Sequence, residues 1–588
     1  MGRTLALALL LGTQLSMEAQ VTADVAWQRC IGGSAGEFGS DLCATSDGGF
    51  IAIGTTASAD GDATGTHGNV DMLVTKLNAD GDVLWRRVLG GSQPEATGTC
   101  MEASDGSIMV AGMTQSNDGD VSGNHGLSDL WVVKLSPLGA IIWQHAYGGS
   151  SLEGGGQILE TADGGFVVYG VTNSDDGDVV GFHPPGNVQD TWVLKIGPSG
   201  MLEWSRTLGG SGTDSVIELI QTADGGFLVN FAYTTSNDGD VTGNHGGQDC
   251  WLVKLGPLGA IEWATAIGGS QKEFGYDVLE LDNGDILLLG GTFSNDGNVA
   301  GLNHGGFDVF LSKISSSGQV IWTRTYGGSL NDDCRSLLAT ADGGFIIGGS
   351  SGSSDGDVTI NRGGQDVWVF KVDANGTLLW QRSYGGSLED WAFLYEDDRG
   401  GYVLSGYTYS TDGDMQDSNG GRDLWLARLT DNGDLVWHRC LGGSAEDWGY
   451  LKAQTPDTGY VAFGYTDSND GDVSGNHGGR DMWAVKVKVT GTPERIACAL
   501  FIPTAFSPDN STKNDAYCLY GTDCIATMQL GIYDRWGNKV FESTDPQACW
   551  DGTYNGQPLD PAVFAYHLSA TLSNGERVER QGNITLMR

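Results

Sequence analysis

Between residues 21 and 489 the apolar positions fall in short runs, separated by polar turn residues at a regular interval. The stretch from Trp204 to Leu255 shows the order. One run ends at Leu208, Gly209-Gly210-Ser211 turns the chain, a second run extends through Ile220, and Asp224-Gly225-Gly226 turns it again. Phe227 to Tyr233 forms a third run, and a long polar loop, Ser236 to Gln248, leads to a fourth from Asp249 to Leu255. Runs this short, rich in β-branched and aromatic residues and bounded by Gly, Asn, Asp and Ser, predict strands.

The pattern occurs eight times. Trp27, Trp85, Trp143, Trp204, Trp263, Trp322, Trp380 and Trp437 are 58, 58, 61, 59, 59, 58 and 57 residues apart, and a Gly-Gly-Ser turn follows each. Four short strands per repeat of this length predict a blade of a β-propeller, because the rungs of a β-solenoid are far shorter. The first unit begins at its tryptophan strand and the last ends at Asp481-Met482-Trp483, so the two ends carry complementary halves of one hairpin. Pairing them would close the ring and remove exposed sheet edges. The expectation is an all-β chain with an eight-bladed propeller over residues 21–489.

Seven of the tryptophans complete a Gly-x-x-x-Trp run, from Gly81 and Trp85 through Gly433 and Trp437. This resembles the tryptophan-docking repeat of eight-bladed quinoprotein-like propellers, which implies an indole packed between neighbouring blades. No accompanying motif places a quinone cofactor.

Charge and composition narrow the partners. With 31 basic against 74 acidic residues the formal charge is −43, which argues against nucleic acid and anionic membranes, since both require clustered cations. The 94 glycines disfavour long helices, and 39% apolar residues suffice for a core. Arg3 followed by the apolar stretch Leu5 to Leu11 reads as a secretory leader over residues 1–19, with cleavage near Ala19. No later apolar run is long enough to predict a transmembrane helix. Export permits disulfides among the ten cysteines, and Cys518 with Cys524 is the expected local bridge. Cys30 and Cys440 share a repeat position, and no cysteine spacing matches a zinc site.

Every unit carries an acidic loop with three aligned positions, as in Asp118/Asp120/Asp129, Asp238/Asp240/Asp249 and Asp470/Asp472/Asp481. Asp-Gly-Asp followed by a third aspartate offers the hard oxygen ligands that Ca²⁺ takes. The same residues make Asx-turns, and the calcium-loop signature with its terminal Glu is missing, so the turn reading carries more weight. Histidine recurs in six of these loops, at His67, His125, His183, His245, His304 and His477. A general base is needed once, so the histidines read as loop structure. The acid three residues after each Gly-Gly-Ser, from Glu37 to Asp447, reads as an acceptor for turn amides.

If the repeated residues are scaffold, selectivity lies where the units differ. Directly after the recurring acid stand Phe38, Phe274, Trp391 and Trp448, whereas the other units have Ala96, Gly154, Ser215 and Asp333. Ring closure would bring units seven, eight and one together, where Trp391, Trp448 and Phe38 would make one aromatic patch suited to a sugar ring or a protein partner; inter-blade packing is the weightier reading, since large aromatics are usually buried. An insertion with Phe182, Pro184 and Pro185 is a second candidate contact loop.

The repeat breaks at a linker, residues 490–497. Beyond it come Phe501 to Asn510 (FIPTAFSPDN), Gly531 to Phe541 (GIYDRWGNKVF), Trp550 to Thr553 (WDGT) and Val563 to Tyr566 (VFAY), whose alternation and turns predict a small Ig-like β-sandwich over residues 498–588. In order and spacing these motifs closely resemble the gliding-motility-associated C-terminal domain, the type B sorting domain of the type IX secretion system. The resemblance implies recognition by that machinery and release to the cell surface or medium. The functional expectation is non-enzymatic adhesion, or binding of glycan or protein; the alternatives are a surface polysaccharide hydrolase and a Ca²⁺-stabilised spacer.

Overall fold

A computed structural model describes residues 21–183, 188–299, 303–490, 502–503, 505–508, 516–519, 525–546, 548–572 and 577–587. The expected leader, residues 491–497 of the expected linker, and Pro184 and Pro185 lie outside them, whereas Thr490, expected in the linker, ends a strand. Thr22–Thr490 forms one compact unit and the residues after it belong to another.

Among the described residues, the regular structure of the first unit is all strand apart from two single-turn 3-10 segments, Gly61–Ala63 and Gly297–Val299. Its described strands make eight four-stranded antiparallel sheets of the β-propeller-like kind. Sheet 1 runs in order through Glu37–Ala44, Phe50–Thr56, Asp71–Leu77 and Val83–Leu89. Sheets 2 to 7 repeat this order along the chain. Sheet 8 takes three strands from the end of the unit, Asp447–Thr455, Gly459–Thr466 and Asp481–Thr490, and its fourth from the start, Thr22–Ile31, which pairs antiparallel with Asp481–Thr490.

Burial explains the alternation. The second and third strands of each sheet are buried almost throughout, and apolar clusters join one sheet to the next rather than filling a single centre. Ile53 and Val74 of sheet 1 pack with Val110 and Trp131 of sheet 2, and Phe463 and Met482 of sheet 8 pack with Phe50 and Leu73 of sheet 1. Each sheet therefore leans on its successor, and the eighth on the first.

Two side-chain devices repeat along these contacts. The tryptophan of one sheet covers the turn glycine of the next: a Cβ on Gly139 would lie 2.9 Å from Trp85, and the Trp85 indole N–H donates to the carbonyl of Pro137 at 3.0 Å. That is the packing implied by the Gly-x-x-x-Trp run, and the +78° φ of Gly139 adds a second reason for glycine there. The leading strands are also bridged. Asp41 accepts the amide of Cys100, Thr99 that of Ile158, Glu218 that of Val278, Asp277 that of Leu337 and Ser336 that of Leu394, at 2.7 to 3.2 Å. Ser405 accepts the amide of Leu451, and the Lys452 ammonium returns to Asp41 at 2.9 Å.

The C-terminal unit has one five-stranded sheet, ordered Ala505–Phe506, Arg577–Leu586, Ala562–Leu572, Ile525–Tyr533 and Lys539–Ser543, plus the ribbon Thr553–Tyr554 with Gln557–Pro558. Among the described residues there is thus one full sheet with a short ribbon where two facing sheets were expected. Trp550, Tyr517, Leu530, Ile532, Leu568 and Ile584 anchor its core. The expected Cys518–Cys524 bridge is corrected: Cys518 is bonded to Cys549. Tyr517 and Trp550 exchange backbone hydrogen bonds at 2.8 and 2.9 Å, and this bridge sets the flanking cysteines side by side. Cys524 lies outside the described residues.

Candidate binding site

The second residue of each leading strand follows a fully buried acid, and period-2 alternation turns its side chain to the opposite face. In sheets 7 and 8 that residue is tryptophan, opposite a tyrosine on the next strand: Trp391 pairs with Tyr407 and Trp448 with Tyr465. The rings meet at 6.0 and 5.3 Å between centroids. Tyr450 joins the two sheets, 6.3 Å from Trp391 and 4.5 Å from Trp448. Phe38 of sheet 1 stands edge-on to Tyr465 at 6.3 Å. Trp391, Trp448 and Phe38 are therefore linked through their tyrosines into one belt across sheets 7, 8 and 1.

Access along the belt is graded. Phe38 is 52% exposed, Trp448 is half-buried, and Trp391 is only 8% exposed, packed against Phe393 at 4.3 Å. Phe274 is apart from the belt, with Tyr233 at 5.8 Å and Phe307 at 6.0 Å.

Arginines stitch the belt together. Arg480 lies 3.9 Å from the Tyr465 ring centre and 5.2 Å from that of Phe38. Arg422 sits 5.5 Å from Tyr407, 5.8 Å from Trp448 and 5.9 Å from Tyr465, and donates to the Tyr465 hydroxyl. Stacking on a ring face leaves the guanidinium edge free for carboxylates. Arg480 is held by both oxygens of Asp467 at 2.9 and 2.6 Å, and Arg422 by Glu446 at 3.2 Å. The Asp467 hydrogen bonds raise the Arg480 pKa further, so its charge is fixed. These arginines were missed at the sequence level, although the signal was present: the residue before the third-strand aspartate is Arg only at Arg422 and Arg480, against Val70, Ser128, Gln189, Gln248, Phe307 and Gln365 elsewhere. Aromatic faces framed by fixed charge pairs suit a ligand that stacks and hydrogen-bonds at once.

The acidic loops are built differently. Within one loop the three aspartates have separate tasks. Asp118, Asp238 and Asp470 accept the backbone N–H of Ser92, Ser211 and Ser444 at 2.7 Å, which lowers their pKa values and pins the Gly-Gly-Ser turns. The middle residues face basic or backbone groups: Asp240 pairs with Arg206 at 3.3 Å, Asp472 with Arg439 at 2.9 Å, and the Asp120 amide donates to Gly90 at 2.9 Å. Asp129, Asp249 and Asp481 are fully buried and accept the ring nitrogen of His125, His245 and His477 at 2.6 to 2.7 Å. Burial raises the pKa of all three. Among the described residues, no three His, Cys, Asp or Glu side chains are grouped to hold a metal ion. The recurring acid after Gly-Gly-Ser takes turn amides as expected, with Glu153 accepting Gly149 N–H at 2.8 Å.

Comparison with known proteins bears on the C-terminal unit. Residues 500–586 match the CHU_C Type IX secretion signal domain. Regulatory protein FlaEY of Caulobacter vibrioides is 25% identical over 54% of this chain, which spans only 36% of that relative's length. A mutant of Synechocystis apocarotenoid oxygenase covers 74% of this chain and 97% of its own at 12% identity and a TM-score of 0.35. The extracellular domain of a one component system from B. thetaiotaomicron covers 94% of this chain and 73% of its own, at 10% identity and a TM-score of 0.26. These structural likenesses carry no argument at such scores. No helix among the described residues is long and apolar enough to cross a membrane. Residues 500–586 are a type IX secretion signal domain, which the secretion machinery recognises and which directs the protein to the cell surface or out of the cell.

Proposed function

We propose that the eight sheets close into an eight-bladed propeller over residues 21–489, joined by a linker at 490–497 to the sorting domain at 498–588, and that the exported propeller binds glycan or protein through the belt at sheets 7, 8 and 1. The pairing of Thr22–Ile31 with Asp481–Thr490 and the Lys452–Asp41 contact support closure. The observation that carries the binding role is the restriction of the Trp/Tyr pairs and their arginines to adjoining sheets, against a background in which almost everything else repeats.

A surface hydrolase needs an acid pair aimed at substrate. Glu218 and Asp277 are neighbouring acids on leading strands, but each accepts an amide of the adjacent strand, at the bridging position that Asp41, Thr99 and Ser336 occupy elsewhere. Their placement favours binding over hydrolysis.

A glycan array and a pull-down with the full-length protein test the reading. Trp448→Ala and Phe38→Ala should each weaken binding by roughly tenfold or more, as expected for loss of an anchoring ring, while Phe274→Ala should not. Retention of full affinity by both belt variants would remove the assignment.

A further inference from the structure

Two side chains from successive leading strands meet at the junctions between sheets. Leu159 of sheet 3 packs forward and Leu219 of sheet 4 packs back, so that the two share one apolar cluster. Leu279 and Leu337 do the same between sheets 5 and 6. Between sheets 1 and 2 both places are held by cysteine, Cys43 and Cys100. The register establishes the equivalence. Cys43 and Leu159 each lie opposite the second residue of the neighbouring strand, Ile51 and Val167, and Cys100 and Leu219 lie opposite the third, Val110 and Val229. Hydrogen bonds hold the two leading strands in contact here. Asp41 accepts the Cys100 amide at 3.1 Å, and the Cys100 thiol donates at 3.6 Å to the carbonyl of Ile51, the residue opposite Cys43. Burial first, and then the Cys43 thiol beside it, hold the Cys100 pKa well above the ordinary thiol range. Neither cysteine is bonded in this structure.

We propose that Cys43 and Cys100 become a disulfide once the protein leaves the cytoplasm, a clasp that locks sheet 1 to sheet 2. At this one junction two thiols replace the apolar pair, and the chain carries a secretion signal that takes it to surroundings where disulfides form and persist. The oxidant is a second disulfide, of an exported thiol oxidoreductase or of a small thiol such as glutathione. Cys43, half-buried where Cys100 is only 6% exposed, is the point of entry. Its thiolate attacks one sulfur of the oxidant, which forms a mixed disulfide and releases one thiolate. Cys100 then loses its proton and displaces the second thiolate. One S–S bond forms and one breaks, two electrons pass to the oxidant, and the two cysteine protons are matched by two taken up on its thiols. The thiolate is the attacking species, so the raised pKa of Cys100 makes the second displacement the slow one.

Peptide mapping of the full-length protein provides the test. Protein recovered from the cell surface or medium is denatured in iodoacetamide without reductant, digested and read by mass spectrometry. A linked Cys43–Cys100 peptide pair is expected. Protein prepared reduced should gain the same link on incubation with oxidised glutathione, and its melting midpoint should then rise by about 3 °C or more beyond the rise in Cys43→Ala and Cys100→Ala. Both variants keep Cys518 and Cys549, so they control for oxidation of that pair. Alkylation of both Cys43 and Cys100 in the exported and the glutathione-treated protein, or their bonding to other cysteines, would overturn the proposal. A link that raises the midpoint no more than in the variants would overturn its role as a clasp.

Discussion

A single methyl group tests the docking between sheets. Gly139 and Gly106 both have a left-handed backbone, with φ of +78° and +79°, but a Cβ on Gly139 meets Trp85 at 2.9 Å whereas one on Gly106 meets nothing within 4 Å. Gly106→Ala should cost about 1 kcal/mol in backbone strain, and Gly139→Ala about 1–3 kcal/mol more through overpacking. Denaturant melts will show the gap, and equal losses would mean that the indole does not dock there. A second residue-scale effect is electrostatic. Burial, and then the charge of Asp277, push Glu218 up to about 8, and burial pushes Asp277 up to about 6. A carboxyl whose pKa is raised on folding favours the fold fully below its unfolded value and loses that contribution as pH rises through its folded value. From pH 6 to 9 the melting midpoint of Glu218→Gln should therefore gain on that of the parent. A constant gap across that range would show that the pair does not titrate as described.

Strands and turns were legible because each unit states them in the same order: Leu208, Gln221, Thr234 and Leu255 end the four strands of the unit from Trp204, within a residue of where the apolar runs end. Contacts between elements were less legible. Chain proximity points Cys518 to Cys524, whereas the Tyr517–Trp550 bridge that brings Cys549 to it has no signature in the sequence. Trp391 was readable as a sheet-specific aromatic, but its 8% exposure depends on Phe393 and Tyr450, which no spacing rule brings to it. Arg422 and Arg480 stand out in the sequence only by their position before the third-strand aspartate, and their stacking on Tyr407, Trp448, Tyr465 and Phe38 is set by the fold. In the secretion domain, the turn from Asp534 to Asn538 lifts Trp536 to 75% exposure, with Asp534 accepting the Trp536 and Asn538 amides at 2.8 Å and Arg535 5.0 Å from the indole. Trp536→Ala should leave melting of the protein unchanged and reduce the amount found outside the cell. Undiminished export in fractionated cultures would exclude a role for this turn in recognition.

At the scale of the whole chain, repetition and divergence divide the work. Residues present in every unit, including the capping aspartates, the leading acids and the docked tryptophans, all serve joints within or between sheets. The binding belt draws on the consecutive sheets 7 and 8 and on sheet 1, which is remote from them in sequence, so it exists only if the N-terminal strand completes the eighth sheet. An experimental structure of the full-length protein tests this most directly. The account predicts eight four-stranded sheets around one axis, with Thr22–Ile31 in the last of them and Phe38 beside Tyr465. An open arc of sheets, a different number around the axis, or Phe38 remote from Tyr465 would contradict it.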